Sequence, residues 1–338
     1  MTDTDTIPNR RFWQVNRLVA AELVTLCALA VLPVVLADHM TVFLTRVLLL
    51  CLLALSFDLA WGYGGVMSFG QALFFGAAGY AGGLMTRELE VTSVFAVIPL
   101  TVLVGMGLAA AVGALILLAK QRPAMIVVAL GTLSGAFIAE RLFRGWYWAG
   151  GQNGVAGLPY LDVLGWEIAE GVPFYYLAFA CVIVVYATSR ALVRSQFGLT
   201  LAAARQNEER TVFLGAPVQV MKLMVFVFAG GVAGLGGGLY AFHEGFVGPV
   251  LLGVALSTKA VIYVLLGGTG TLIGAVLGVL AIEVTGYLLA DRFASAWPIL
   301  LGCILLAVIL IKPSGLIGLI SSDAERAGRF GIRSGRGR

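Results

Sequence analysis

The side chains able to do chemistry in this sequence are few and sit in unusual surroundings. Asp58 and Glu283 stand within long apolar runs, and Glu22, Arg46, Glu140 and Lys259 stand nearer the ends of such runs. A charge in hydrocarbon is costly, so each marks either a route for an ion or solute or a structural pair. The four near run ends are placed to snorkel toward an interface. Asp58 and Glu283 alone make only a thin acid–base relay. Cys27, Cys51, Cys181 and Cys303 each lie in an apolar stretch with no C-x-x-C pair, and His39 and His243 are isolated, so small core residues and no metal set are expected.

Polar groups recur beside glycines. Gly62-Tyr63-Gly64-Gly65-Val66-Met67-Ser68-Phe69-Gly70-Gln71 interrupts one apolar region, and Leu266-Gly267-Gly268-Thr269-Gly270-Thr271 interrupts another. Broken helices expose backbone groups that can bind a solute at membrane depth. Tyr63, Ser68, Gln71, Thr269 and Thr271 are therefore candidates to line a path; a packing kink is the alternative. Gly230, Gly234 and Gly238, then Gly270, Gly274 and Gly278, recur every four residues, the spacing that lets helices approach closely in lipid. Glycine numbers 44, about 13% of the chain against a usual ~7%.

One polar stretch lies inside the chain, Arg190–Met221. Its segment Ser195–Gly215 is expected to form a short amphipathic helix, anchored by Leu199, Ala203, Val212 and Phe213 and presenting Arg205, Glu208, Glu209 and Arg210. Gly215-Ala216-Pro217 would stop it. Either it is a solvated connector or it docks a partner that moves the bundle. The chain has no G-x-x-x-x-G-K-[ST], and GGTGTLIG lacks the lysine. If ATP drives anything here, another subunit hydrolyses it.

The elements that must carry these residues follow from composition. Of 338 residues, 60% are hydrophobic and 12% charged, with net charge +4. A soluble fold would leave far more polar surface, which excludes a soluble enzyme, a nucleic-acid binder and a disordered scaffold. Uncharged stretches long enough to span a bilayer are Leu59–Thr86, Ser93–Ala119, Pro123–Ala139, Val172–Ser189, Leu223–Ala241, Ala260–Ile282 and Phe293–Ile311, preceded by the weaker Leu23–Ala37 and Met40–Phe57. The window Ser257–Ala290 reads as two segments broken at its glycines. This predicts an all-α polytopic bundle of about ten spans. Residues 1–18 form a polar N-terminal segment, 19–320 the membrane domain and 321–338 a basic tail. With both termini inside, the inner segments hold sixteen of the 22 basic residues, while the outer loop 144–171 carries Asp162, Glu167 and Glu170.

The run LALSFDLAWGYGGVMSFGQALFFGAAGYAGGL, the loop GGQNGVAGLP, the segment RSQFGLTLAAARQNEERTVFLGAPVQVMKLMVFVFAGGVAGLGGGLYA and the ending GGTGTLIGAVLG…IKPSGLIGL together resemble the LivM-type permeases of branched-chain amino-acid ABC importers. The resemblance implies a multi-pass protein of the bacterial inner membrane. Its partners would be a second, LivH-like permease, two cytoplasmic ATPases that bind ATP and Mg, and an extracytoplasmic solute-binding protein. It implies no cofactor on this chain. It also maps a coupling loop onto Gly198–Gly215, with Arg205, Asn207, Glu208, Glu209 and Gly215. A GxxGxxSxG-like stretch falls on Gly62–Gly70, and the chain departs from the family where a histidine often stands, at Gln71. Permeases of urea importers are a sister branch sharing GGxNG and GGxGTLIGAVLG, which leaves urea or short amides as an alternative solute. An ion-driven carrier using Asp58 or Glu283 is the alternative from another class.

Overall fold

Asp38 to Phe57 begins the most buried of the long apolar helical segments. The computed structural model describes residues 10–118, 125–293, 302 and 315–320. Their helices are α1 (Arg10–Val35), α2 (Asp38–Phe57), α3 (Gln71–Leu89), α4 (Val94–Leu117), α5 (Met125–Gly145), α6 (Val172–Arg194), α7 (Gln196–Gln206), α8 (Glu208–Phe213), α9 (Val218–Glu244), α10 (Val254–Gly267) and α11 (Leu272–Phe293). Among the described residues, six helical segments are long and apolar enough to cross a membrane: Asp38–Tyr63, Val94–Leu117, Met125–Gly145, Val172–Arg194, Val218–Glu244 and Leu272–Leu289. Ala20–Val35 and Val254–Gly267 are shorter apolar helices. Apart from Phe293 and Gly302, the span expected at Phe293–Ile311 lies outside the described residues, as does the basic tail 321–338.

The expected span Leu59–Thr86 is not one helix. Helix α2 runs on through a π-helical turn, Asp58–Tyr63, and the chain then leaves helical geometry until Gln71 opens α3. Four glycines between 62 and 70 explain this. Gly65 adopts φ +68°, which disfavours any residue with a Cβ. The window Ser257–Ala290 does divide, with α10 ending at Gly267 and α11 starting at Leu272.

Helix α9 packs on α2, α3 and α4 through small residues. Gly230, Gly234 and Gly238 face Thr101, Gly105 and Ala109 of α4, and Gly236 faces Leu52 of α2. At Gly79 of α3 an added Cβ would stand 3.0 Å from the Gly237 carbonyl oxygen. Such backbone proximity replaces the hydrophobic drive that lipid cannot supply. Gly274 and Gly278 bring α11 against Gly267 and Tyr263 of α10. Gly270 departs from that expected row: it lies in the turn between the two helices at φ +72°.

Residues 144–171 are more ordered than a connector. Val155–Ala156 (β1) pairs antiparallel with Phe246–Val247 (β4) just beyond α9. Leu161–Val163 (β2) and Trp166–Ile168 (β3) form a hairpin, turned at Leu164 and Gly165 with positive φ. These short strands decorate one end of an otherwise helical fold.

Candidate functional site

The two glycine-rich breaks touch each other. Asp58, fully buried in the π-helical turn, accepts the backbone N–H of Gly270 at 2.6 Å through Oδ1. Gly62 lies one turn on, so close that an added Cβ would sit 2.6 Å from the Gly270 nitrogen. Gly62 is thus required by the approach of backbone to backbone, and Gly270 by its φ of +72°. Within the second break, the Thr271 hydroxyl donates to the Gly268 carbonyl at 2.6 Å. Gly268 has φ +115°, and Gly315 packs against it while Leu316 N–H bonds to Leu266 carbonyl at 2.7 Å.

A third element reaches the same place. Arg205, on α7 of the polar loop, donates from Nη1 to the Gly62 carbonyl. Its stem passes Gly65, where an added Cβ would meet Arg205 Cγ at 3.2 Å, and its head lies beside Gly270 and in electrostatic reach of Asp58. Sequence reading grouped Arg205 with the loop's presented charges. The structure instead turns it toward the breaks, although part of the residue stays exposed. No local pattern signals this, because its acceptor is a main-chain carbonyl 143 residues away.

The loop itself differs from the single helix expected over Ser195–Gly215. It forms two helices, α7 and α8, hinged at Asn207 with φ −154°. Each has its own N-cap: Ser195 Oγ accepts the Gly198 N–H at 3.4 Å, and Asn207 Oδ1 accepts the Arg210 N–H at 2.9 Å. Asparagine at 207 therefore starts a second helix rather than continuing the first. The inward-facing residues are Gly198, Leu201, Ala204 and Thr211. The expected anchors Leu199, Ala203, Val212 and Phe213 are exposed, Phe213 by 89%. Glu209 and Arg210 are exposed, whereas Glu208 forms an ion pair with Lys222 of α9 at 2.6 Å. Gly215 ends the loop at φ +86°.

The five candidate path residues divide. Tyr63, Ser68, Gln71 and Thr271 are buried and Thr269 is half-buried. Ser68 Oγ accepts the Gly70 N–H at 3.1 Å, and Gln71 Oε1 accepts the Ser56 hydroxyl at 3.3 Å while Nε2 is buried without a partner among the described residues. Two residues absent from the candidate set hold the end of the first break and the start of α3. Thr132 Oγ1 accepts the Phe69 N–H at 3.0 Å, and Ser257 Oγ accepts the Ala72 N–H at 3.3 Å. Beside this break is a cavity of about 150 Å³, bordered by Gly65, Val66, Met67, Leu117, Glu208 and Lys222 among others.

The ionisable residues expected to snorkel are mostly paired. Glu22 is buried and bonded to Arg190 of α6, so burial with a partner replaces snorkelling. Arg46 pairs with Glu244 at 3.5 Å, and Glu140 with Arg144 one turn on at 2.6 Å. Glu283 accepts the Tyr263 hydroxyl. Lys259 is exposed.

Known proteins share much of this chain. The family described as branched-chain amino acid transport system / permease component matches residues 39–311. The high-affinity branched-chain amino acid transport system permease protein LivM of Escherichia coli K12 is 26% identical over 299 residues, covering 81% of this chain and 68% of that protein. Its counterpart in Salmonella typhimurium is 24% identical with the same coverage. The autoinducer 2 import system permease protein LsrC of Enterobacter sp. strain 638 is 33% identical over 232 residues, 63% of each chain. No solved structure matches.

Proposed function

This chain belongs to the family of branched-chain amino acid transport permease components, and from that premise we propose that it forms half of the translocation unit of an ABC importer for branched-chain or other small amino acids. The family and the apolar helices make it a multi-pass membrane permease, not catalytic on its own. In the proposed assembly a second permease completes the channel and two cytoplasmic ATPases hold ATP and Mg. A solute-binding protein delivers the amino acid from outside, and both termini of this chain are cytoplasmic.

One observation supports the mechanism above the others. Arg205 on α7 bonds to the Gly62 carbonyl in the first break, and Asp58 in that break bonds to Gly270 in the second. A displacement of the cytoplasmic loop by the ATPases would be passed to both broken segments through these two hydrogen bonds between side chain and backbone. In this reading Asn207 is the hinge, the exposed end of α8 with Phe213 and Glu209 meets the ATPase, and the breaks alternate access. An amino acid is favoured over other solutes because the LivM relatives, named for branched-chain amino acids, cover more of the chain than LsrC does. Nothing in these relatives speaks for urea.

The test is a mild-detergent pull-down of the tagged chain from its native membrane, followed by leucine uptake in vesicles made from the recovered complex. A Walker-type ATPase and a second permease are expected in the eluate, with uptake dependent on ATP and on the binding protein. A chain recovered alone that moves solute under a proton or sodium gradient would replace this reading with an ion-driven carrier.

A further inference from the structure

Beyond its first turns helix α2 is buried, with one exception. From Leu44 to Ala60 every residue is buried except Arg46, whose side chain is 45% exposed, while its neighbours Thr45 and Val47 are fully buried. Eight residues of helix place Arg46 about 12 Å along α2 from Asp38. Three other helices bring polar groups to it. Glu244 at the end of α9 is 33% exposed and contacts Arg46 through Nε at 3.5 Å. The Tyr240 hydroxyl, a turn earlier, interacts with both. Glu283 of α11, oriented by the Tyr263 hydroxyl of α10, lies in electrostatic reach of Arg46. This cluster shares no residue with the breaks or the polar loop.

We propose that Arg46, Glu244 and Glu283 form a subsite on the translocation path for a zwitterionic α-amino acid, Arg46 taking its carboxylate and the glutamates its ammonium. Ionisable groups in spans face a bundle interior or a water-filled cavity, because half-exposed charges facing acyl chains are too costly. Here they emerge together through a gap in the most buried helix. One cation against two carboxylates leaves an anionic excess that suits an ammonium. The Arg46–Glu244 contact runs through Nε and exceeds the 2.7–2.9 Å of a tight charge-assisted bond, so a carboxylate can compete for the planar guanidinium fork. An uncharged solute forms only weaker hydrogen bonds with such a pair, without two charge-assisted contacts. The inference rests on the importer reading above and adds to it the residues that recognise the two charged ends of the solute.

The experiment uses the complete importer in spheroplasts, with the other cysteines of this chain replaced and Arg46→Cys introduced. Leucine uptake and binding-protein-stimulated ATP hydrolysis are read together. Losing one charge-assisted contact predicts a roughly tenfold to hundredfold fall in leucine moved per ATP. Modification by a positively charged aminoethyl methanethiosulfonate restores most of it; the sulfonatoethyl and methyl reagents do not. Undiminished uptake by the unmodified variant overturns the proposal, as does equal rescue by the methyl reagent. Failure of both charged reagents to label the introduced thiol also overturns it, since the site would then be sealed by lipid or a partner. If Arg46→Cys does not assemble, Glu244→Gln, which keeps size and removes charge, is read for the same ratio. There a parallel fall in uptake and hydrolysis marks a merely structural pair. Absence of ATP-driven leucine uptake by the unsubstituted importer would instead count against the importer reading.

Discussion

Asp58 accepts the Gly270 N–H at 2.6 Å, a bond that joins segments 212 residues apart in the chain. Its loss should be felt as both instability and failed transport. Asp58→Ala leaves the half-buried Gly270 N–H without its acceptor, a cost of roughly 1–3 kcal/mol; Asp58→Asn keeps a carbonyl oxygen in place. Thermal unfolding in detergent should show the alanine variant clearly less stable and the asparagine variant near the original. Equal melting of all three would mean the contact carries no weight. At this scale the sequence was readable in part. A lone carboxylate in an apolar run beside Gly62 announced Asp58, and the glycine runs announced both breaks. The partners were hidden wherever one side of the contact is main chain, as for Arg205 on the Gly62 carbonyl. They were hidden too wherever two charges meet only after folding, as Glu22 meets Arg190 and Glu208 meets Lys222.

Among the elements, the polar loop departs furthest from its expected form. Hydrophobic spacing over Ser195–Gly215 suggested one helix, because a cap inside such a segment competes weakly with helical periodicity in a short window. Asn207 won by accepting the Arg210 N–H and starting α8 in a new direction. Replacing it with alanine removes a cap of about 1 kcal/mol and the hinge with it. Asn207→Ala is therefore expected to lower leucine moved per ATP while ATP hydrolysis persists, measured on the reconstituted importer. Glu209→Lys, on the exposed face, should weaken recovery of the ATPase in a pull-down, while Glu208→Lys should disturb the α8–α9 junction at Lys222 first. The first break shows the same lesson for spans. Leu59–Thr86 is continuous in hydropathy, so only its glycines, not its composition, reveal that α2 overruns to Tyr63 and α3 begins afresh at Gln71.

For the whole molecule, hydropathy and small-residue spacing identify an all-helical membrane bundle, and the α4–α9 seam follows the four-residue glycine row. Orientation is the larger-scale expectation open to direct test. Reporter fusions placed after Gly165 and after Glu209 should report opposite sides, with the polar loop cytoplasmic; the reverse pattern would remove the docking role given to α8. If motion of the loop reaches both breaks through Arg205, transport and hydrolysis must separate when that side chain is cut back. ATP hydrolysis and leucine uptake are measured together in the reconstituted importer carrying Arg205→Ala, with Arg205→Lys as the charge-preserving control. The alanine complex is expected to assemble and still hydrolyse ATP but to transport at least about tenfold less leucine, as loss of one charge-assisted bond implies, with partial recovery by lysine. Uptake at the original level in Arg205→Ala would contradict that route.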